Sequence, residues 1–229
     1  MSGLKTYLER ATKEYTNQLR SVKPGSDPFG VIPYLTSHGI GYQVALDYKL
    51  GVVATPLMYD EDFTGMLAIP YLTPHGVSAI KFRRLAAEGP KYMAHKGQKA
   101  RLYNVAAYFA ADDMIGLAEG EIDAISATER LGVPTMGIPG SEMWQANKGT
   151  WAPIFKDFRT VLIFADGDPI NKQTGLRPGE ELAKAVSETI GWRAKVIQCP
   201  EGEDVSSLIA SGNIGFLTER FSTSKDDDK

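Results

Sequence analysis
Leu4, Tyr7, Leu8, Ala11, Tyr15, Leu19 and Val22 recur at three- and four-residue spacing, so they line one face of a helix. Lys23-Pro24-Gly25 ends that pattern, which predicts one packing helix followed by a Pro/Gly/Asp linker. Gln43-Val44-Ala45-Leu46-Asp47-Tyr48 then reads as a short helix and Leu50-Gly51-Val52-Val53 as a strand. The runs Gly65 to Tyr71 and Val77 to Arg83 flank Thr73-Pro74-His75-Gly76, the pattern of two antiparallel strands around a turn. His75 is then a turn residue, and His38 beside Gly39 reads the same way.

The pattern changes in the second half. Met114-Ile115-Gly116-Leu117-Ala118 is short enough to be one buried strand; it stops at Glu119, turns at Gly120 and opens into the helical stretch Ile122 to Leu131. Thr160 to Ala165 is a β-rich run ending in Asp166-Gly167-Asp168, and Lys195 to Cys199 leads into Pro200-Glu201-Gly202-Glu203-Asp204. After a long segment, Pro169 to Pro178, helical spacing resumes over 179–186. Strands alternating with helices predict an α/β protein, α+β overall, with a mixed N-terminal part and then a mostly parallel sheet flanked by helices. In such sheets ligands sit beyond the carboxyl ends of the strands, and here three strands bring carboxylates to one rim.

Clustered acids need an explanation. Two carboxylates about 4 Å apart repel by roughly 4 kcal/mol at an effective dielectric of about 20. A divalent cation reverses that sign, and oxygen donors without cysteine or histidine favour Mg²⁺ or Mn²⁺ over zinc. Asp166 and Asp168 share a face of an extended segment, with Gly167 free to bend between them. Glu119 and Asp123 have the spacing of one helix face. The plain alternative is a loop of solvated charges with Glu119 as a helix cap; acids at three strand ends argue for a site.

Composition narrows the class. The chain has 229 residues, 43% hydrophobic and 23% charged, the profile of a soluble globular protein of one large or two small domains. It has no apolar run of membrane-spanning length and no signal-peptide pattern, so a cytoplasmic location is expected, the host cytoplasm if a phage encodes it. One cysteine, Cys199, excludes an internal disulfide, and with only His38, His75 and His95 beside it a structural zinc site is not expected. There is no internal repeat and no Walker-type phosphate loop. The formal charge of -3 hides a division: up to Val105 there are 13 Lys+Arg against 8 Asp+Glu, and from Ala106 onward 12 against 20. Lys81, Arg83, Arg84, Lys91, Lys96, Lys99 and Arg101 form a basic strip opposed only by Glu88, with Phe82, Tyr92 and Tyr103 interleaved. Cations for phosphates mixed with rings for bases suit a single-stranded nucleic-acid path.

These residues carry a resemblance. Glu119-Gly120-Glu121-Ile122-Asp123 resembles the Glu-Gly-x-x-Asp element of Toprim domains, and Asp166-Gly167-Asp168 their Asp-x-Asp element. Toprim domains occur in DnaG-type primases, topoisomerases, nucleases and recombination proteins, and the flanking context selects among these. Tyr34-Leu35-Thr36-Ser37-His38-Gly39-Ile40, Leu50-Gly51, Ile69-Pro70, Lys81-Phe82-Arg83-Arg84 and Pro90-Lys91-Tyr92-Met93-Ala94-His95 follow the motif order of the basic subdomain of the DnaG-type primase catalytic core. Leu102-Tyr103-Asn104 is similar to that family's segment just before its Toprim domain. The likeness spans residues 30 to 210, most of the chain.

Spacing, composition and the resemblance together give the expected organisation: an N-terminal helix and linker (1–28), a basic nucleic-acid-binding subdomain (29–104), a Toprim catalytic domain (105–216) and a polar, disordered tail (217–229). Glu119, Asp166 and Asp168 become the metal-binding acids, Asp123 a supporting catalytic acid, and Asp204 a further metal ligand. Ser206 stands where the family has a second acid and Val205 where it has proline, so a peripheral ligand is missing. Lys81, Arg83, Arg84, Lys91, Tyr92, Lys96, Lys99 and Arg101 are the expected nucleic-acid and nucleotide contacts, with Arg83 and Arg84 both open as the family's arginine. The implied activity is DNA primase: Mg²⁺- or Mn²⁺-dependent synthesis of short RNA primers from ribonucleoside triphosphates on single-stranded DNA. No zinc ribbon, following helical region or helicase motor is seen, which fits a compact phage form with a separate helicase and a zinc-bearing or helical partner. A Toprim nuclease and a non-catalytic single-strand-binding subunit are the alternatives; a topoisomerase would need a tyrosine-bearing domain.

Overall fold
In the computed structural model, residues 2–23, 25–140, 142–173 and 175–222 are described. The chain divides into two compact units, Met1–Lys99 and Ala100–Lys229.

In the first unit, helix α1 (Ser2–Arg20) follows the predicted spacing and buries Leu8, Ala11, Tyr15 and Leu19. Two short helices follow, α2 (Val31–Ser37) and α3 (Tyr42–Asp47). The sheet is antiparallel and runs in simple sequence order: β1 (Gly51–Val52), β2 (Leu67–Thr73), β3 (Gly76–Arg83) and β4 (Tyr92–Ala94). Alternation along β3 decides its faces. Ile80 and Phe82 are buried, whereas Lys81 and Arg83 are partly exposed on the other side. Phe82 stacks on Phe63 at 3.9 Å between ring centres. At Gly51 the strand meets α1 backbone to backbone: a Cβ there would lie 2.5 Å from the Tyr15 carbonyl carbon.

A polar network crosses this apolar layer. Asp60 is fully buried; it accepts a hydrogen bond from the Tyr15 hydroxyl and pairs with His95 Nε2 at 2.8 Å. The Tyr15 oxygen in turn accepts from the Leu57 N–H at 3.1 Å. Burial alone would raise the Asp60 carboxyl, but the hydrogen bonds from His95 and Tyr15 outweigh it and hold Asp60 below the usual aspartate range. Burial first, and then the neighbouring Asp60, push the Tyr7 and Tyr15 hydroxyls up. His95 is therefore the partner of a buried carboxylate.

The second unit holds a wholly parallel sheet in the order β6-β5-β7-β8: β5 (Met114–Glu119), β6 (Thr135–Ile138), β7 (Thr160–Ala165) and β8 (Ala194–Gln198). A short helix, α4 (Ala106–Ala110), precedes it, and α5 (Glu121–Ser126) leaves β5 and continues as a π turn over Ala127–Leu131. The remaining helices are α6 (Glu142–Trp151), α7 (Pro178–Ile190), α8 (Val205–Ala210) and α9 (Ile214–Ser222). Period-two alternation along β7 separates two apolar layers. Val161, Ile163 and Ala165 pack with Trp144, Phe155 and Val186; Leu162 and Phe164 pack with Cys199, Leu208 and Leu217. Helix α9 runs on to Ser222 with Leu217 fully buried, so the stretch expected to be a tail from 217 begins as helix. The correction has a local cause: Phe216, Leu217 and Phe221 offer the second layer an apolar face. The polar run 223–229 lies outside the described residues. No helix among the described residues is long and apolar enough to cross a membrane.

Candidate active site
The acids meet because β5 and β7 are hydrogen-bonded neighbours, with Gly116 opposite Leu162 and Ala118 opposite Phe164. Each strand then ends on a carboxylate at the same rim. Glu119 is the last residue of β5; Gly120, at φ +87°, breaks the chain direction before α5 begins. That corrects the helix-face reading of Glu119 and Asp123, since only Asp123 is on the helix. A strand-to-helix turn, not helical pitch, brings them to one rim.

Asp166-Gly167-Asp168 leaves β7 as a clamped turn. The Gly167 N–H donates to the Glu203 carbonyl at 2.8 Å, and the Gly202 N–H donates to the Gly167 carbonyl at 2.7 Å. A Cβ at Gly167 would lie 1.7 Å from the Pro200 carbonyl oxygen, so only glycine fits between these strands of backbone. Gly179, in the first turn of α7, also packs on the Asp166 main chain, where a Cβ would lie 2.4 Å from the Asp166 carbonyl oxygen. Held this way, Glu119, Asp166 and Asp168 each offer a carboxylate oxygen, all within 4.8 Å of one another.

Asp123 and Asp204 stand behind this group. Asp123 is buried, and its Oδ1 accepts the Ser206 N–H at 2.8 Å. Asp204 caps α8: its Oδ1 accepts the Ser207 N–H at 2.7 Å and the Ser206 hydroxyl at 2.8 Å. Ser206 thus links the two acids. The Asp204 oxygen used in the cap is committed to α8, while its charge still bears on Asp166.

Burial and like charges work against ionisation within this group. Burial first, then the charges of Asp123, Glu119, Asp204 and Asp168, push the Asp166 carboxyl up to about 10. Its Oδ1 is enclosed and has no hydrogen-bond partner among the described residues. The Cys199 thiol is likewise pushed up, by burial and then by Asp166. An enclosed, unpartnered carboxylate oxygen among like charges, in an all-oxygen donor set, fits a hard divalent cation.

In the first unit, part of the basic strip converges. Arg83 donates to the Tyr92 hydroxyl and lies over the rings of Tyr34, at 4.7 Å, and Tyr92, at 5.1 Å. Lys81 sits 4.1 Å from the centre of the Tyr92 ring and Lys91 5.7 Å from it. Cross-strand pairing of Arg83 with Tyr92 fixes this cluster. Arg84 turns toward Met93 Sδ at 3.3 Å, so of the two arginines only Arg83 joins the aromatic face. Lys96 and Lys99 follow β4 in the same unit, and Arg101 belongs to the second.

Three groups escaped the sequence reading. Tyr34 sits in a quoted motif, but nothing local marks it as the ring under Arg83. Asp60 pairs with residues 45 and 35 positions away. Arg177, an N-cap residue by its place before Pro178, reaches back to the Asp-Gly-Asp turn.

No family model matches the chain. It is 43% identical over 164 residues to the Gene 57 protein of Mycobacterium phage D29, covering 69% of this chain and 99% of that protein. It is 26% identical to a DNA primase of Pseudomonas putida over 94% of its own length, and spans 38% of that longer protein. Among solved structures it resembles the DnaG primase catalytic domain bound to ssDNA, with a TM-score of 0.67 at 16% identity, over 97% of this chain and 80% of that one.

Proposed function
We propose that this chain, which belongs to the family of the Gene 57 protein of Mycobacterium phage D29 and has the DnaG-type catalytic-core fold, is a DNA primase making short RNA primers on single-stranded DNA. The observation that carries this reading is the convergence of Glu119, Asp166 and Asp168 at the carboxyl rim of the parallel sheet. Those three would hold the divalent ions, Mg²⁺ or Mn²⁺, with Asp204 beside them. Bound there, the ions supply neutralisation of the triphosphate and pyrophosphate charges and a lowered pKa for the attacking 3′-hydroxyl.

The chain's own residues do the positioning. Asp123 orients the rim through the Ser206 N–H, and the Gly167 clamp keeps Asp166 and Asp168 aimed together. The cluster of Lys81, Arg83, Lys91 and Tyr92 suits phosphates and bases of a single strand and of the initiating nucleotide, with Arg84, Lys96, Lys99 and Arg101 adding positive charge. In this reading residues 29–104 hold nucleic acid and residues 105–216 perform chemistry. A separate helicase and a zinc-bearing or helical partner would work with the chain in the host cytoplasm.

The test is primer synthesis on single-stranded DNA with labelled ribonucleotides and Mg²⁺ or Mn²⁺. Short template-dependent products from the unaltered chain, and none from Asp166→Ala/Asp168→Ala, are expected. Extension of a supplied dinucleotide without de novo products would mean that initiation rests with a partner. Degradation of the template without nucleotides would replace this reading with a nuclease.

A further inference from the structure
The long segment between the Asp-Gly-Asp turn and α7 ends in a residue that returns to that turn. The segment closes on itself, with the Asn171 N–H donating to the Leu176 carbonyl at 2.9 Å and the Gly175 N–H to the Asn171 carbonyl at 2.8 Å. This delivers Arg177 to the foot of α7, with its side chain 17% exposed. Arg177 Nη1 donates to the Asp168 carbonyl at 2.5 Å and approaches the Gly167 carbonyl at 3.4 Å. Nη2 donates to Glu201 Oε2 at 2.8 Å, and Nε lies 3.6 Å from Glu180 Oε1. One guanidinium therefore joins the metal-loop backbone, the loop that clamps Gly167 and the first turn of α7.

The geometry points to Arg177 as a positioning residue that fixes the Asp168 main chain and thereby presents the Asp168 carboxylate to a divalent cation. The inference rests on the metal-site reading above and adds a residue to it. Two carbonyls and two carboxylates are arranged around a planar fork, which an ammonium cannot reproduce. Glu201 and Glu180 balance the charge, so the contribution is one of geometry. Without the fork the Asp168 carbonyl is free to turn, and an incoming ion must order the loop as it binds. Groups that hold metal ligands in place typically change affinity by about 10- to 100-fold when removed.

Manganese titrated alone into the full chain, followed by calorimetry, tests this without requiring primer synthesis. Arg177→Ala should bind Mn²⁺ about tenfold more weakly. Arg177→Lys, which keeps the charge and loses the fork, should remain weaker by about threefold or more. Circular dichroism at the same temperature establishes that each variant is folded; if Arg177→Ala is not, Arg177→Lys carries the test. Affinity in the folded variants within about twofold of the unaltered chain, even with a lowered melting temperature, overturns the inference and leaves the proposed function standing. No Mn²⁺ uptake by the unaltered chain overturns both.

Discussion
With Oδ1 enclosed and four other acids acting on it, Asp166 keeps its proton well above the range of an ordinary aspartate in the metal-free chain. The folded value is raised above the unfolded one, so the native state holds the extra proton between the two. Its stabilising contribution is complete below about pH 4 and is lost progressively as pH rises toward about 10. Metal-free unfolding midpoints should therefore fall across that window, and Asp166→Asn should flatten the fall; an unchanged slope would refute the assignment. Binding of an ion at neutral pH should release a proton, seen as a buffer-dependent heat. Glu119 and Asp166 stood out in the sequence because each directly follows an apolar run, and Asp168 because it stands two residues beyond Asp166 across a glycine. Tyr34, Asp60 and Arg177 were not, because their roles depend on residues distant in sequence that only the folded chain brings near.

Among elements, the turn after β7 is the most tightly constrained. A Cβ at Gly179 would lie 2.4 Å from the Asp166 carbonyl oxygen and 2.6 Å from its nitrogen. Gly179→Ala should destabilise the second unit by about 1–3 kcal/mol through overpacking and weaken divalent-cation binding. Denaturant unfolding and Mn²⁺ titration together check this; wild-type values in both would show that the turn yields at no cost. The strands were readable from apolar runs of the right length, and α1 from its spacing. The placing of Glu119 with Asp123 on one helix face failed because Gly120, at positive φ, ends the strand between them. Helix α9 was misjudged because its buried residue Leu217 stands next to a polar run that dominates the local pattern.

Across the whole molecule, charge divides with the units: residues 1–99 carry 12 Lys+Arg against 8 Asp+Glu, and residues 100–229 carry 13 against 20. Single-stranded DNA binding should then weaken log-linearly with salt, and Arg83→Ala should lower the slope by about one. Asp166→Ala/Asp168→Ala should bind the strand as tightly as the unaltered chain; a matching loss of affinity would place the strand on the acids instead. This division was visible in the sequence, whereas the placing of Arg83, and not Arg84, against the Tyr92 ring required the strand register. The order of the parallel sheet also acts in time. On the ribosome, Glu119, Asp166 and Asp168 are all synthesised before residues 200–204, which hold Gly167 from the other side. A nascent chain thus holds these three acids before it holds the loop that clamps Gly167, so the turn between Asp166 and Asp168 is fixed only once residues 200–204 have been made.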